Sequence, residues 1–362
     1  MLFVAVRRQK KSEMRRENEF CRGRLLAPWL LFGGLLLSML PAQASYLARD
    51  DVRNFIRTLE LEHGLDAAEV ERVLGAARFQ PTVVRLIGPE RPKRPPPVRS
   101  YPAYRARFVT QSRIAAGVQF WNAYEAELRR AEEEYGVPAE VIVGILGVET
   151  VFGRNTGSFR VVDALATIAF DGPRRQDYFR EELKELLLLA RELSLDPLAI
   201  KGSYAGAMGL PQFMPSSYRR YAVDFDGDGF IDLVNSPADA IGSIASYLRA
   251  FGWVTDEVAF VPIELPAGEE ATLVSGLERA HTVADLRARG VKFAASRVPE
   301  GACSVVELPA PGKAPKYLAG FANFEAITRY NRSTFYATAV LDLAHAIREE
   351  RQRGLMVRDS AD

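Results

Sequence analysis

Residues 144–153 read GILGVETVFG, and Glu149 is their only ionisable side chain. Ile145, Leu146, Val148, Val151 and Phe152 surround it, with glycines at 144, 147 and 153. Burying a charge is costly unless it is paired or neutralised. The stretch therefore raises one question: whether the carboxyl caps or pairs at a helix end, or is poised for chemistry. Upstream, Pro138 suits the first turn of a helix carrying Val141, Ile142, Ile145 and Leu146, which puts Glu149 at that helix's end.

Working outward, the spacing of apolar residues predicts a mainly helical α+β chain. Asp51 to Ala77 reads as helices, broken at Gly64, with Val52, Phe55, Ile56 and Leu59 at helical spacing. Prolines 89, 92 and 95–97 forbid regular helix, so 88–101 reads as an extended connection. One helical pattern runs from about Gln111 to Tyr135 and ends at Gly136-Val137-Pro138. Further helices are predicted over Asp177 to Glu192, Pro237 to Phe251 and Phe324 to Arg351. Between Val258 and Lys316 the pattern changes to alternating and β-branched runs (EVAFVPIEL, ARGVKFAAS, CSVVELPA) between Gly and Pro turns.

Two clusters follow GVET. KGSYAGAMGLPQFMPSSY, 201–218, is rich in Gly and Ala, which allow close backbone approach to a ligand or helix. Ser203, Gln212, Ser216, Ser217 and Tyr218 supply neutral hydrogen-bonding groups suited to an amide- and hydroxyl-bearing ligand such as a sugar chain. Gln212 could bond an acetamido group or position Glu149, and Ser216 could equally cap a short helix. DFDGDGFID, 224–232, has the spacing of a calcium loop: Asp224, Asp226 and Asp228 at positions 1, 3 and 5, Gly229 at 6, the Phe230 carbonyl at 7 and Asp232 at 9. Position 12 is Asn235 rather than Glu; Asp239 could replace it in a longer loop. Oxygen ligands make such an ion structural, with no cofactor for catalysis.

Other chemistries find little support. His63, His281 and His345 are scattered and distant from Cys21 and Cys303, so no zinc or Cys/His pattern forms. No nucleophile elbow or phosphate-cradling loop is present. Residues 1–24 are basic, Leu25 to Leu40 is apolar, and Pro41-Ala42-Gln43-Ala44 is a small-x-small cleavage signal. That layout reads as a signal peptide over 1–44, with Met1 or Met14 as the start. Cys21 precedes the apolar run, the wrong place for a lipid anchor. The leader holds eight of the 47 basic and three of the 46 acidic residues, so the remainder carries about −4 and does not suggest a nucleic-acid partner. A periplasmic monomer without stable membrane insertion is expected.

Taken together, YGVPAEVIVGILGVETVFGRNTG, RVVDALATIAFDGPRRQDYF, KGSYAGAMGLPQFMPSSYRRYAVDFDGDG, DAIGSIASYL and ITRYNRSTFYA resemble the lytic murein transglycosylase B family, over about Tyr104 to Tyr336. The resemblance implies a lysozyme-like catalytic core over 136–255, with its calcium loop at 224–239. Around it would lie a helical region over 45–135, a small β-rich domain over 256–323 and a C-terminal helix over 324–352. It implies cleavage of the β-1,4 bond between N-acetylmuramic acid and N-acetylglucosamine in peptidoglycan, giving a 1,6-anhydro product. In that scheme Glu149 is acid and then base, and Ser203 and Gln212 lie near the acetamido group. Tyr247 forms a cleft wall, Tyr330, Asn331 and Tyr336 form the far side, and Tyr104 makes a more distant sugar contact. Asp224, Asp226, Asp228 and Asp239 match the metal loop, with one extra residue between Leu233 and Asp239. Three alternatives stand beside it: a hydrolytic muramidase using Asp163 or Asp171 as second carboxylate, an inactive peptidoglycan-binding scaffold, and a calcium sensor.

Overall fold

The computed structural model describes residues 46–88 and 98–359. The predicted leader and most of the proline-rich connection lie outside them. The chain opens with a 3-10 turn, Tyr46–Ala48, then α1 (Asp50–His63), α2 (Ala67–Ala76) and α3 (Pro81–Ile87). Gly64 ends α1 in left-handed backbone, its amide bonded to the Glu60 carbonyl. Asp66 starts α2 by accepting from the Ala68 amide. Val52, Ile56 and Leu59 are buried, as their spacing predicts.

After α4 (Tyr101–Arg105), the single helix expected over 111–135 is two: α5 (Gln111–Ala123) and α6 (Glu125–Tyr135). The break is at Tyr124, φ −123°, ψ 35°, whose ring packs 4.8 Å from that of Phe120. Periodicity continues across the break because both halves bury one face, each against a different partner. Next come α7 (Ala139–Thr150), β1 (Phe159–Arg160), α8 (Val161–Asp171), α9 (Gln176–Glu192), β2 (Lys201–Gly202), α10 (Pro215–Tyr221) and α11 (Pro237–Ala250). Helix α5 packs on α7, and α6 packs on α11.

The 256–323 segment contains a five-stranded antiparallel sheet in the order β4-β6-β7-β3-β5. Its strands are β3 (Phe260–Glu264), β4 (His281–Thr282), β5 (Lys292–Phe293), β6 (Ala302–Ala310) and β7 (Lys313–Gly320), with α12 (Glu270–Leu273) and α13 (Val283–Ala288) between them. Alternation decides where each face goes. Val261, Ile263, Cys303, Val305 and Ala319 form a small core with Leu273, Val283 and Leu286. Val306, Leu308 and Leu318 join the main helical core. The sheet is thus fused to the helical body through one face, and Gln43–Asp362 forms one compact unit.

The helix expected over 324–351 is also two, α14 (Ala322–Tyr330) and α15 (Thr334–Asp359). Asn331 is extended, φ −149°, ψ 119°, and the Ser333 hydroxyl accepts from the Tyr336 amide to restart the helix. Helix α15 crosses α7 and α5. Every residue of α7 except Glu140 and Glu149 is buried, the pattern of a helix at the centre of a core. Glycines let the crossing close: a Cβ on Gly144 would lie 2.8 Å from the Val340 carbonyl oxygen, and one on Gly147 2.8 Å from Leu343.

Candidate active site

Glu149 is in the last turn of α7. Behind it Val151, Phe152 and Gly153 take left-handed backbone in succession, φ 53°, 57° and 85°. The Val151 and Phe152 amides both return to the Leu146 carbonyl, and the Phe152 ring stacks 5.4 Å from Phe120. This turn stops the helix one residue past the glutamate.

Tyr336, from α15, donates its hydroxyl to Glu149 Oε1 at 2.6 Å. Glu149 keeps some exposed surface, yet desolvation of its carboxyl dominates. Burial pushes it up from 4.5 to about 7, and the Tyr336 hydrogen bond only partly offsets that. Burial first, and the Glu149 charge second, hold the Tyr336 and Tyr330 phenols well above their usual range, so both act as donors. Half of such carboxyls carry a proton near neutral pH, as a general acid requires.

Tyr330 and Tyr104 lie within electrostatic reach of Glu149, and Tyr247 packs against Tyr330. Tyr330 donates to the Pro211 carbonyl at 2.9 Å, tying α14 to the 203–213 segment. Its ring lies 4.8 Å from Tyr247 and 5.7 Å from Phe213. Tyr247 itself is buried, and its hydroxyl is committed to the Arg329 carbonyl at 2.8 Å. It backs the Tyr330 ring. Tyr104 packs against Phe335 and Phe108 beneath the Arg107 guanidinium. Burial pushes its phenol up to about 12 and the Glu149 charge adds to this, which places Tyr104 within electrostatic reach of the acid.

Gln212 has left-handed backbone, φ 52°, and its Nε2 lies 3.0 Å from both the Thr156 and Gly209 carbonyls. Only a donor satisfies two carbonyls, so the amide orientation is fixed by its partners. Oε1 is left as an acceptor. Ser203 Oγ accepts from the Ala207 amide at 3.0 Å and keeps its proton to donate. Asn331 is partly exposed at the bend between Tyr330 and Tyr336. Ser216 and Tyr218 are structural: Ser216 bonds the buried Glu182 through Oγ and its amide, and Tyr218 bonds the Ile231 carbonyl.

Both carboxylates considered as a hydrolase's second acid are engaged elsewhere. Asp163 is buried and accepts from Arg160, the Arg78 amide and Gln80. Asp171 accepts from Tyr46 and Arg49.

In the acidic loop, Asp224, Asp226 and Asp239 each offer an oxygen within 4.8 Å of the others. Asp239 therefore takes the place that spacing gives to Asn235. Asp232 turns away, accepting from the Val234 and Asn235 amides. Asp228 accepts from the Phe230 amide, and Phe230 is exposed. Burial raises the Asp239 pKa, and the Asp226 charge raises it further. Three converging carboxylates on a glycine-turned loop fit a hard divalent cation. Such an ion would relieve their mutual repulsion and fix the entry to α11, a structural role.

Sequence reading missed Thr150, Thr156 and the Leu210 and Pro211 carbonyls. Backbone acceptors leave no trace in residue type. Thr150 did leave a signal, as the only other polar side chain in GILGVETVFG.

Residues 48–345 match the family described as Transglycosylase SLT domain. Membrane-bound lytic murein transglycosylase B of Escherichia coli strain K12 is 42% identical over 325 residues, 87% of this chain and 88% of that protein. The Escherichia coli lytic transglycosylase Slt35 in complex with calcium superposes with a TM-score of 0.75 at 42% identity, covering 83% of this chain and 94% of that one. SltB3 of Pseudomonas aeruginosa, in complex with NAG-anhNAM-pentapeptide, superposes with a TM-score of 0.69 at 30% identity, covering 82% and 79%. Among the described residues, no helix is long and apolar enough to cross a membrane.

Proposed function

Because the chain belongs to the transglycosylase SLT-domain family and is a lytic transglycosylase of peptidoglycan, we propose that Glu149 alone serves as acid and then base, giving 1,6-anhydromuramyl products. The observation that carries this is the Glu149–Tyr336 pair. A carboxyl raised to about 7 is held by a donor at 2.6 Å, and neither Asp163 nor Asp171 is available to it.

Protonated Glu149 donates to the glycosidic oxygen as the bond from the muramyl C1 to that oxygen breaks. The substrate's acetamido carbonyl steadies the positive anomeric carbon, as in substrate-assisted glycosidases. Ionised Glu149 then takes the C6 hydroxyl proton while that oxygen bonds to C1. One proton leaves and one returns, and no water is consumed. Tyr336 orients the carboxyl and stabilises its ionised interval through a charge-assisted bond. Gln212 Oε1 accepts the acetamido N–H, and Ser203 donates to a sugar or acetamido oxygen. Tyr330, Asn331 and Tyr104 complete the saccharide contacts, with Tyr247 supporting Tyr330. SltB3 was solved with NAG-anhNAM-pentapeptide, which supports a product of this type.

Calcium bound by Asp224, Asp226, Asp228, Asp239 and the Phe230 carbonyl would brace the fold, and Slt35 was solved with calcium. Catalysis uses no cofactor in this reading. A peptidoglycan substrate and the leader's layout together favour a periplasmic site of action.

Mass analysis of the products tests the proposal. Wild type should release anhydro-muropeptides from peptidoglycan, and Glu149→Gln should release none. Products heavier by one water, with reducing ends, would show a hydrolase instead.

A further inference from the structure

The Thr150 hydroxyl joins the turn behind Glu149 to the segment bearing Gln212, and no step of the acid–base scheme uses it. Thr150 is fully buried. Its Oγ1 accepts the Gly153 amide at 3.0 Å and donates to the Leu210 carbonyl at 2.9 Å. The first bond closes the left-handed turn behind Glu149. A β-branched residue such as Val151 in that region is an outlier, and such strain persists only where the surroundings over-determine it. The second bond ties the turn to the segment bearing Gln212, which is itself left-handed. The Leu210 amide in turn reaches the Leu233 carbonyl at 2.8 Å, in the acidic loop. One atom must both accept and donate to make these links, which a hydroxyl does and a methyl cannot.

We propose that Thr150 is a positioning residue of the cleft: its hydroxyl fixes the reach between the Glu149 carboxyl and the Gln212 amide. Without it the Gly153 amide and the Leu210 carbonyl lose their shared partner. The strained turn is then free to relax, and the carboxyl moves with it. The inference rests on Glu149 being the acid.

Thr150→Val keeps the shape and removes the hydroxyl; Thr150→Ser keeps the hydroxyl. Turnover on soluble glycan strands is measured across pH for both, for Glu149→Gln and for wild type, with melting temperature as the control for folding. A misplaced catalytic group by about 1 Å costs up to roughly a hundredfold. Thr150→Val should therefore lose at least about tenfold in kcat and shift the pH midpoint of turnover, while Thr150→Ser stays within about threefold of wild type. Should Thr150→Val fail to fold, Thr150→Ala carries the same comparison. A Val variant with a lower melting temperature but normal kcat and pH midpoint would reduce Thr150 to a structural residue. So would a Ser variant as impaired as Val. If Glu149→Gln remains active, the premise itself fails; if it is inactive while Thr150→Val turns over normally, only this inference does.

Discussion

Replacing Glu149 with Gln should make the protein more stable, and only above acidic pH. Folding raises this carboxyl from 4.5 to about 7. Each unit is worth about 1.4 kcal/mol, so 2.5 units come to about 3 kcal/mol, trimmed toward 2 by the surface Glu149 still exposes. Below about pH 4 both the folded and unfolded carboxyl are protonated, and nothing is lost. Between about pH 4.5 and 7 the unfolded chain has released the proton while the folded one retains it. Stability therefore falls as pH rises through that window and levels off above it. Glutamine never ionises and escapes the fall, and its carbonyl oxygen can still accept from Tyr336. Urea unfolding of wild type and Glu149→Gln, extrapolated to water at about pH 4 and about pH 8, measures the difference. Calcium is kept saturating, and other carboxylates cancel between the two proteins. The expected gain is near zero at the lower pH and about 2–3 kcal/mol at the higher. A variant less stable at the higher pH, or a gain equal at both, would refute the claim that burial strains this acid.

Tyr336→Phe removes the donor that lowers the Glu149 pKa, so the pH at which turnover falls on the alkaline side should move up by about one unit. A pH–rate profile that does not move would separate Tyr336 from the acid. Gly147→Ala puts a Cβ 2.8 Å from Leu343 and 2.9 Å from Phe152, and should cost about 1–3 kcal/mol by thermal denaturation. Gly354→Ala on the same helix as Leu343 meets nothing within 4 Å and should be neutral or stabilising by up to about 1 kcal/mol. Adding calcium to chelator-treated protein should raise its melting temperature. Asp224→Asn should blunt that rise, and Asp239→Asn should also lower the melting temperature without calcium, because the Phe225 and Asp232 amides bond different carboxylate oxygens and asparagine keeps only one acceptor, facing the other amide with a donor.

Helices were legible where one apolar face repeats, and their ends where Gly64 or Gly136 stops them. The breaks at Tyr124 and Asn331 were not, because the apolar pattern runs through both and packing partners change on either side. Family likeness located Glu149 and Tyr336, but residue type could not say that Tyr247 turns its hydroxyl away to Arg329. Nor could it say that Asp163, a plausible second carboxylate, is spent on Arg160 and two partners around residue 80. Side-chain direction is a tertiary property. The β-rich segment was legible as strands, while the fusion of one sheet face to the helical core depended on which alternate residues met it.

The glutamate and the tyrosine that grips it are 187 positions apart in the chain. Because α15 is translated long after α7, a ribosome-bound polypeptide already carries its acid but has nothing to hold it. Such a nascent chain has no assembled site with which to cut a glycan. The same arrangement makes α15 a point of vulnerability: a protease that trims past residue 336 would silence the enzyme by removing the acid's partner, and would lay bare the oily flank of α7 for quality control to find.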